Sequence, residues 1–246
     1  MKTQLLVISL LLALGTSAFA RTIVAVGDPW PPFTDPKNPT DGLSLEIIRA
    51  AYKTQDYDVK MVYVPWARAE AGVKEGTYDI LAATWHTPER TKSLRFSTPY
   101  AVNAIKFIKL KGDSFEYKGL DSLRGKRVGT VRGYGYSDAF LKDAGFVREE
   151  VTGLMQNIMK VVDQRVDLTL DDEIVVRFIL GQENIKLLDM IEFSKESLSS
   201  NPLYVTSGLK NPQHKEIINA FNAGYEIIKS NGTLAVILKK YHLLRS

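Results

Sequence analysis

The chain contains no cysteine and only 3 histidines among its 246 residues. A disulfide, a thiolate metal site and a lipid-modified cysteine behind an export signal are therefore all excluded. His86, His214 and His242 are scattered without ligand spacing, and nothing forms a nucleophile triad. No metal and no cofactor are expected. Long apolar runs are missing after the first 20 residues, so no later window approaches the ~18 to 20 apolar residues of a membrane span. Internal repeats and low-complexity segments are absent as well. Basic residues are spread along the chain without a cluster, and no nucleic acid is expected as a partner.

What is present begins with an export signal. Lys2, the apolar run from Leu5 to Leu14 and the small-x-small triplet Ala18-Phe19-Ala20 predict a signal peptide over 1–20, with the mature chain starting near Arg21. With no cysteine to carry a lipid, a free periplasmic protein is the expectation. Losing Lys2 from 32 basic residues, against 28 acidic ones, leaves a net charge of +3. The remaining length suits one large domain or two of ordinary size.

Strand-like runs alternate with amphipathic helices, which predicts an α/β fold with mostly parallel sheets. Thr22 to Val26 reads as a strand that ends in Gly27-Asp28-Pro29-Trp30-Pro31-Pro32-Phe33, where three prolines exclude helix and inner strand. Such a loop at a strand's carboxyl end lines ligand crevices in open α/β sheets. Leu43 to Tyr52 is a helix with Leu45, Ile48 and Ala51 on one face. The strand Asp58 to Val64 leads into a helix from Pro65-Trp66 to Gly76, and the strand Tyr78 to Ala83 is followed by Trp85. Three tryptophans thus follow three strands. They could stack on a ligand or plug the core.

Thr87-Pro88-Glu89-Arg90 opens a helix, with Thr87 as N-cap and Pro88 as first helical residue. Arg90 then lies among unpaired N–H groups at the positive end of a helix dipole, where a cation is locally unfavourable. A ligand carboxylate in front of it would make the position sensible. An acidic side-chain partner would do so equally well.

A second unit starts at the strand Ala104 to Leu110. Gly125 to Val131 leads to Gly133-Tyr134-Gly135-Tyr136-Ser137 and the helical run Asp138 to Ala144, an arrangement that lets backbone N–H groups face a small anion. It lacks the third glycine and the Lys-Ser/Thr of nucleotide loops. Leu154 to Val162 is helical, and the buried strand Asp167 to Leu170 ends in Asp171-Asp172, which open a helix to Gly181 as caps or as ligand contacts. Lys186 to Met190 and Leu203 to Thr206 are predicted strands. From Asn211-Pro212 a long helix presents Ile217, Ile218, Phe221, Tyr225 and Ile228 to the core, and after Asn231-Gly232 a last amphipathic segment follows.

These residues carry a resemblance. The opening strand with Trp30-Pro31-Pro32-Phe33, Gly42 before the first helix, Gly76 with Asp79, Thr87-Pro88-Glu89-Arg90, Phe96-Ser97 with Pro99-Tyr100, Gly125-Lys126-Arg127-Val128, and Asp167 with Asp172 form one pattern. Nearly all of the mature chain resembles extracellular solute-binding proteins of the amino-acid type, the family of periplasmic glutamine-, histidine- and arginine-binding proteins. The resemblance implies a two-lobed periplasmic-binding-protein fold, with two open, mostly parallel sheets flanked by helices and joined by a two-strand hinge. Lobe 1 would be 21–105 plus 206–246, and lobe 2 would be 106–205. It also implies that Arg90 holds a ligand α-carboxylate, that Asp172 takes the α-ammonium, that Trp30 and Trp66 sandwich the side chain, and that Gly135 belongs to the approaching loop of lobe 2. Asp28, Ala83, Trp85 and Tyr136 complete the expected ligand contacts.

The chain departs from the pattern at Trp85, where a threonine is usual, at Ala83, where glycine is common, and at Val131, where some members place a polar contact. A bulkier, more aromatic wall results. The expected function is capture of a small polar solute, an amino acid or a derivative, by lobe closure and its delivery to an ABC transporter permease, with the receptor a monomer. The alternatives are a periplasmic enzyme of the same fold, a dehydratase drawing acid or base groups from Asp171, Asp172, Glu173 and His86, and a ligand-presenting subunit of a membrane sensor.

Overall fold

The computed structural model describes residues 21–183 and 185–241. The expected signal peptide and His242 lie outside the described residues. In chain order the elements are β1 (Arg21–Gly27), α1 (Leu43–Lys53), β2 (Tyr57–Tyr63), α2 (Trp66–Glu75), β3 (Ile80–Trp85), α3 (Pro88–Thr91), β4 (Leu94–Phe96) and β5 (Ala101–Leu110). They continue with β6 (Arg127–Val131), α4 (Asp138–Lys142), β7 (Val147–Val151), α5 (Leu154–Val162), β8 (Leu168–Asp172), α6 (Glu173–Glu183), α7 (Ile185–Leu188), β9 (Ile191–Gly208), α8 (His214–Ser230) and α9 (Thr233–Lys240).

Two parallel halves share one curled sheet. β1 pairs β2 and β3 in parallel, and β6 pairs β7 and β8 in parallel. Between the halves run β5 and β9, antiparallel to each other from Ala101 opposite Leu203 to Leu110 opposite Ile191. β9 also pairs β3 and β4, and β5 also pairs β8, each pairing antiparallel. The strand order is therefore β2-β1-β3-β9-β5-β8-β6-β7 in a single sheet. The two expected sheets are the ends of this one, because both hinge strands run on into each half.

Local chemistry explains most element ends. The run Thr22 to Val26 is mostly β-branched, and Ile23, Ala25 and Val26 are buried in the core. Gly76 closes α2 in the left-handed conformation at φ 81°, open to glycine without steric cost. The long C-terminal helix buries Ile217, Ile218, Phe221, Tyr225 and Ile228 as its periodicity predicts, and Asn231-Gly232 divides it from α9.

One expected strand fails and another proves longer than expected. Lys186 to Met190 forms no strand: α7 covers Ile185–Leu188, and only Leu187 of it is buried. Three apolar residues in a stretch of five do not distinguish the two periods. Leu203 to Thr206 is the expected strand, but it is part of a longer one that begins at Ile191, whose polar stretch Ser197 to Asn201 pairs with β5 at the hinge. Pairing with β5, invisible in the side-chain pattern, holds those residues extended.

Gly224 lets α8 approach α1 closely, since a Cβ there would lie 2.0 Å from the Ala51 carbonyl oxygen. Gly224→Ala should force the helices apart and destabilise the protein by about 1–3 kcal/mol. That corresponds to a fall of several degrees in a thermal melt.

Candidate ligand cleft

Loops after β1, β3 and β6 and the first turn of α2 meet across the hinge. From the first half Asp28, Trp30, Trp66, Ala83, Trp85 and Arg90 line a cleft, and Tyr134 and Gly135 close it from the second. The enclosed volume is about 20 Å³, the space of roughly one water. Trp30 stands edge-on to Trp85 at 5.6 Å between ring centroids, Trp85 to Tyr134 at 5.5 Å, and Trp66 to Tyr134 at 6.0 Å. All three tryptophans are nearly buried and all three border the cleft.

Arg90 sits where the sequence places it, in the first turn of α3. Thr87 caps that turn, its Oγ accepting the Arg90 N–H at 3.1 Å. The side chain is 4% exposed and has its partners within the protein. Nη1 donates to the Trp85 carbonyl at 2.8 Å, while Nη2 donates to Glu70 Oε2 at 3.1 Å and to the Gly133 carbonyl at 2.8 Å. Nε reaches Glu70 Oε1 at 3.4 Å, and the guanidinium lies 4.8 Å from the centre of the Trp66 ring. Burial pushes the Glu70 carboxyl upward, but Arg90 and Lys74 outweigh it and hold it below the usual range. Of the two readings of Arg90, the acidic side-chain partner is present. A readable signal existed for it, because Glu70 follows Trp66 by one helical turn and accepts its indole N–H at 3.1 Å.

Gly135 is packed against this guanidinium. A Cβ there would lie 2.5 Å from Arg90 Nη1 and 3.0 Å from Thr87 Cγ2, so only glycine allows the loop after β6 to approach so closely.

The two aspartates divide their roles differently from the expectation. Asp172 is 2% exposed and turned toward the backbone: Oδ1 accepts the Ile174 and Val175 N–H groups, and Oδ2 accepts the Ala104 N–H and the Asn103 amide. It caps α6 and clamps β5. Asp171 faces Trp30 instead, with Oδ1 accepting the indole N–H at 2.9 Å across the two halves. Its Oδ2 is buried with no hydrogen-bond partner among the described residues. Burial, reinforced by the nearby charges of Asp172 and Asp28, pushes Asp171 up to about 7.

Asp28 is partly buried and accepts the Tyr134 hydroxyl at 2.8 Å, a second bond across the cleft. Loss of solvation outweighs that bond and raises its carboxyl to about 6. Tyr136 lies under the loop with its hydroxyl accepting the Val131 N–H at 3.2 Å. It supports the wall from behind, 6.3 Å from Trp85. Asn103, which the sequence reading missed, accepts the Trp85 indole N–H at 3.3 Å and links it to Asp172.

The alternative acid–base set does not assemble. His86 is exposed and packs on Phe96 at 5.0 Å, and Glu173 pairs with Lys106 and Arg177. Among the described residues no group of three or more His, Asp or Glu is placed to hold a metal, and no helix is long and apolar enough to cross a membrane.

Two lobes hinged on paired strands, with an aromatic, charged cleft between them, define a small-molecule binding protein of the closing kind. Residues 22–243 match the model for bacterial extracellular solute-binding proteins, family 3, and the chain belongs to that family. It is 26% identical over 238 residues to ABC transporter arginine-binding protein 1 of Escherichia coli, covering 93% of this chain and 94% of that one. The L-cystine-binding protein TcyA of Bacillus subtilis is 25% identical over 216 residues, 85% of this chain and 76% of its own. Among solved structures, an ancestral arginine-binding protein bound to arginine superposes with a TM-score of 0.77 at 24% identity, over 90% of this chain and 98% of that one. A histidine kinase sensor domain similar to periplasmic binding proteins reaches 0.80 at 18% identity, over 90% and 96%.

Asp171 carries a testable stability signature. Its carboxyl rises from 3.8 to about 7 on folding, so the folded protein holds a proton that the unfolded chain has lost. The stability this confers is present at low pH and is lost as the pH rises through about 7. Asp171→Asn should therefore raise stability at pH 8 by about 1–3 kcal/mol and leave it unchanged at pH 4, measured as thermal melts at both values.

Proposed function

We propose that the chain is a periplasmic receptor that captures a small solute, an amino acid or a derivative of one, by closing its lobes and hands it to an ABC permease. Its lobes are 21–105 with 206–246, and 106–205, and the receptor acts as a monomer after removal of 1–20. The observation that carries this reading is the meeting of the two lobes over Arg90, which donates to the Gly133 carbonyl across the cleft while Gly135 packs on its guanidinium. Family membership and the amino-acid-binding relatives support the same reading.

Closure couples to the ligand because the two walls complete the site only together. A solute that contacts both favours the closed state by its differential affinity, and hinge closure of periplasmic binding proteins is one of the standard examples. The aromatic cleft supports binding, and the scattered acid–base groups leave turnover without a placed catalyst. Prephenate and arogenate should accordingly be left unconverted by the purified protein.

A screen of amino acids and their derivatives should raise the melting temperature and change tryptophan fluorescence, since all three tryptophans border the cleft. Gly135→Ala should weaken any such ligand at least tenfold without lowering the melt of the free protein by more than a few degrees. Unchanged affinity in that variant would remove closure over Arg90 from the account.

A further inference from the structure

The charged groups at the cleft are unevenly satisfied: Asp28 and Arg90 line it, and Asp171 lies behind Trp30. Arg90, the group suited to a ligand carboxylate, has its guanidinium occupied by Glu70 and by two carbonyls, one from each lobe. A carboxylate arriving there would have to displace the Arg90–Glu70 ion pair, leaving Glu70 with Lys74 alone. The acidic side is the reverse. Asp171 is 0% exposed with one carboxylate oxygen unpartnered, and Asp28 is met by a neutral hydroxyl alone among side chains. Acids held this far from water are satisfied by a proton or by a cation.

The side-chain donors that Asp28 and Asp171 now accept are the Tyr134 hydroxyl and the Trp30 indole N–H, both neutral, and Asp171 Oδ1 also accepts the Asp172 backbone N–H at 2.7 Å. An ammonium or guanidinium replacing them would convert two neutral hydrogen bonds into charge-assisted ones, roughly twice as strong. The displaced rings of Trp30 and Tyr134, with Trp85 beside both, would then present their faces to it. Aromatic cages of this kind hold organic cations.

Resting on the receptor reading above, we infer that the ligand is an organic cation without a carboxylate: its ammonium or guanidinium sits between Asp28 and Asp171, caged by Trp30, Trp85 and Tyr134. Arg90 is a structural cation that Glu70 keeps out of ligand binding, and Asp171 rather than Asp172 is the anchor.

The test compares each of the twenty amino acids with its decarboxylated amine, for example arginine with agmatine and phenylalanine with phenethylamine, by thermal shift and calorimetry at pH 8. The best amine should bind at least tenfold more tightly than its parent acid. Asp171→Asn should weaken that amine at least a hundredfold, and Glu70→Gln, which releases Arg90, should bring the parent acid at least tenfold closer. Tighter binding by the amino acids overturns this inference and leaves the receptor reading intact. No binding by either set overturns both. Should Asp171→Asn fail to fold, Glu70→Gln still decides, because unchanged discrimination in that variant contradicts the role given to Arg90.

Discussion

A guanidinium that is 4% exposed is the constraint from which the rest of the cleft follows. Burying such a charge is costly unless it is paired and hydrogen-bonded, and three separate elements are fixed by the need to do so. α2 supplies Glu70, the end of β3 supplies the Trp85 carbonyl, and the loop after β6 supplies the Gly133 carbonyl. The Trp66 ring lies over the same group. Gly135 follows from this packing, because any side chain there would meet the guanidinium. Arg90 is thus the point where the walls of the two lobes are held in register.

The hinge provides the freedom that makes this meeting conditional. β5 and β9 join the halves: β9 pairs β3 and β4 of one, β5 pairs β8 of the other, and the two pair each other. Asp172 anchors that region by accepting from Ala104, Asn103 and the first turn of α6. Asn103 passes the connection on to Trp85. A side chain at the hinge is therefore joined by hydrogen bonds to an aromatic wall of the cleft. Across the cleft the lobes meet through neutral donors on buried acids, Trp30 on Asp171 and Tyr134 on Asp28.

Much of this was legible in the sequence because it depends on local chemistry. The prolines after β1, the Thr87-Pro88 cap and Gly76 mark loops and helix ends whatever surrounds them. The three tryptophans after three strands border one cleft in the structure. What escaped depends on partners far away in the chain. Glu70 lies one helical turn from Trp66 in the sequence, but only the fold brings both to Arg90. The choice between Asp171 and Asp172 turns on which way a β8 side chain points, and one residue of register reverses it. The middle of β9 is polar and held extended by β5, so no periodicity announces it. Lys186 to Met190 holds only three apolar residues, Leu187, Leu188 and Met190, too few to tell the helical α7 from a strand.

The central claim is that the lobes close on a ligand around the Arg90 contact. Because the chain has no cysteine of its own, spin labels can be placed at Lys53→Cys on α1 and Lys142→Cys on α4, both exposed and one on each lobe. Pulsed electron–electron double resonance between them should give a broad distance distribution in the free protein. With the tightest ligand found, it should give a single narrow, shorter distribution. Identical distributions in the two samples, with the ligand shown to be bound, would contradict the account.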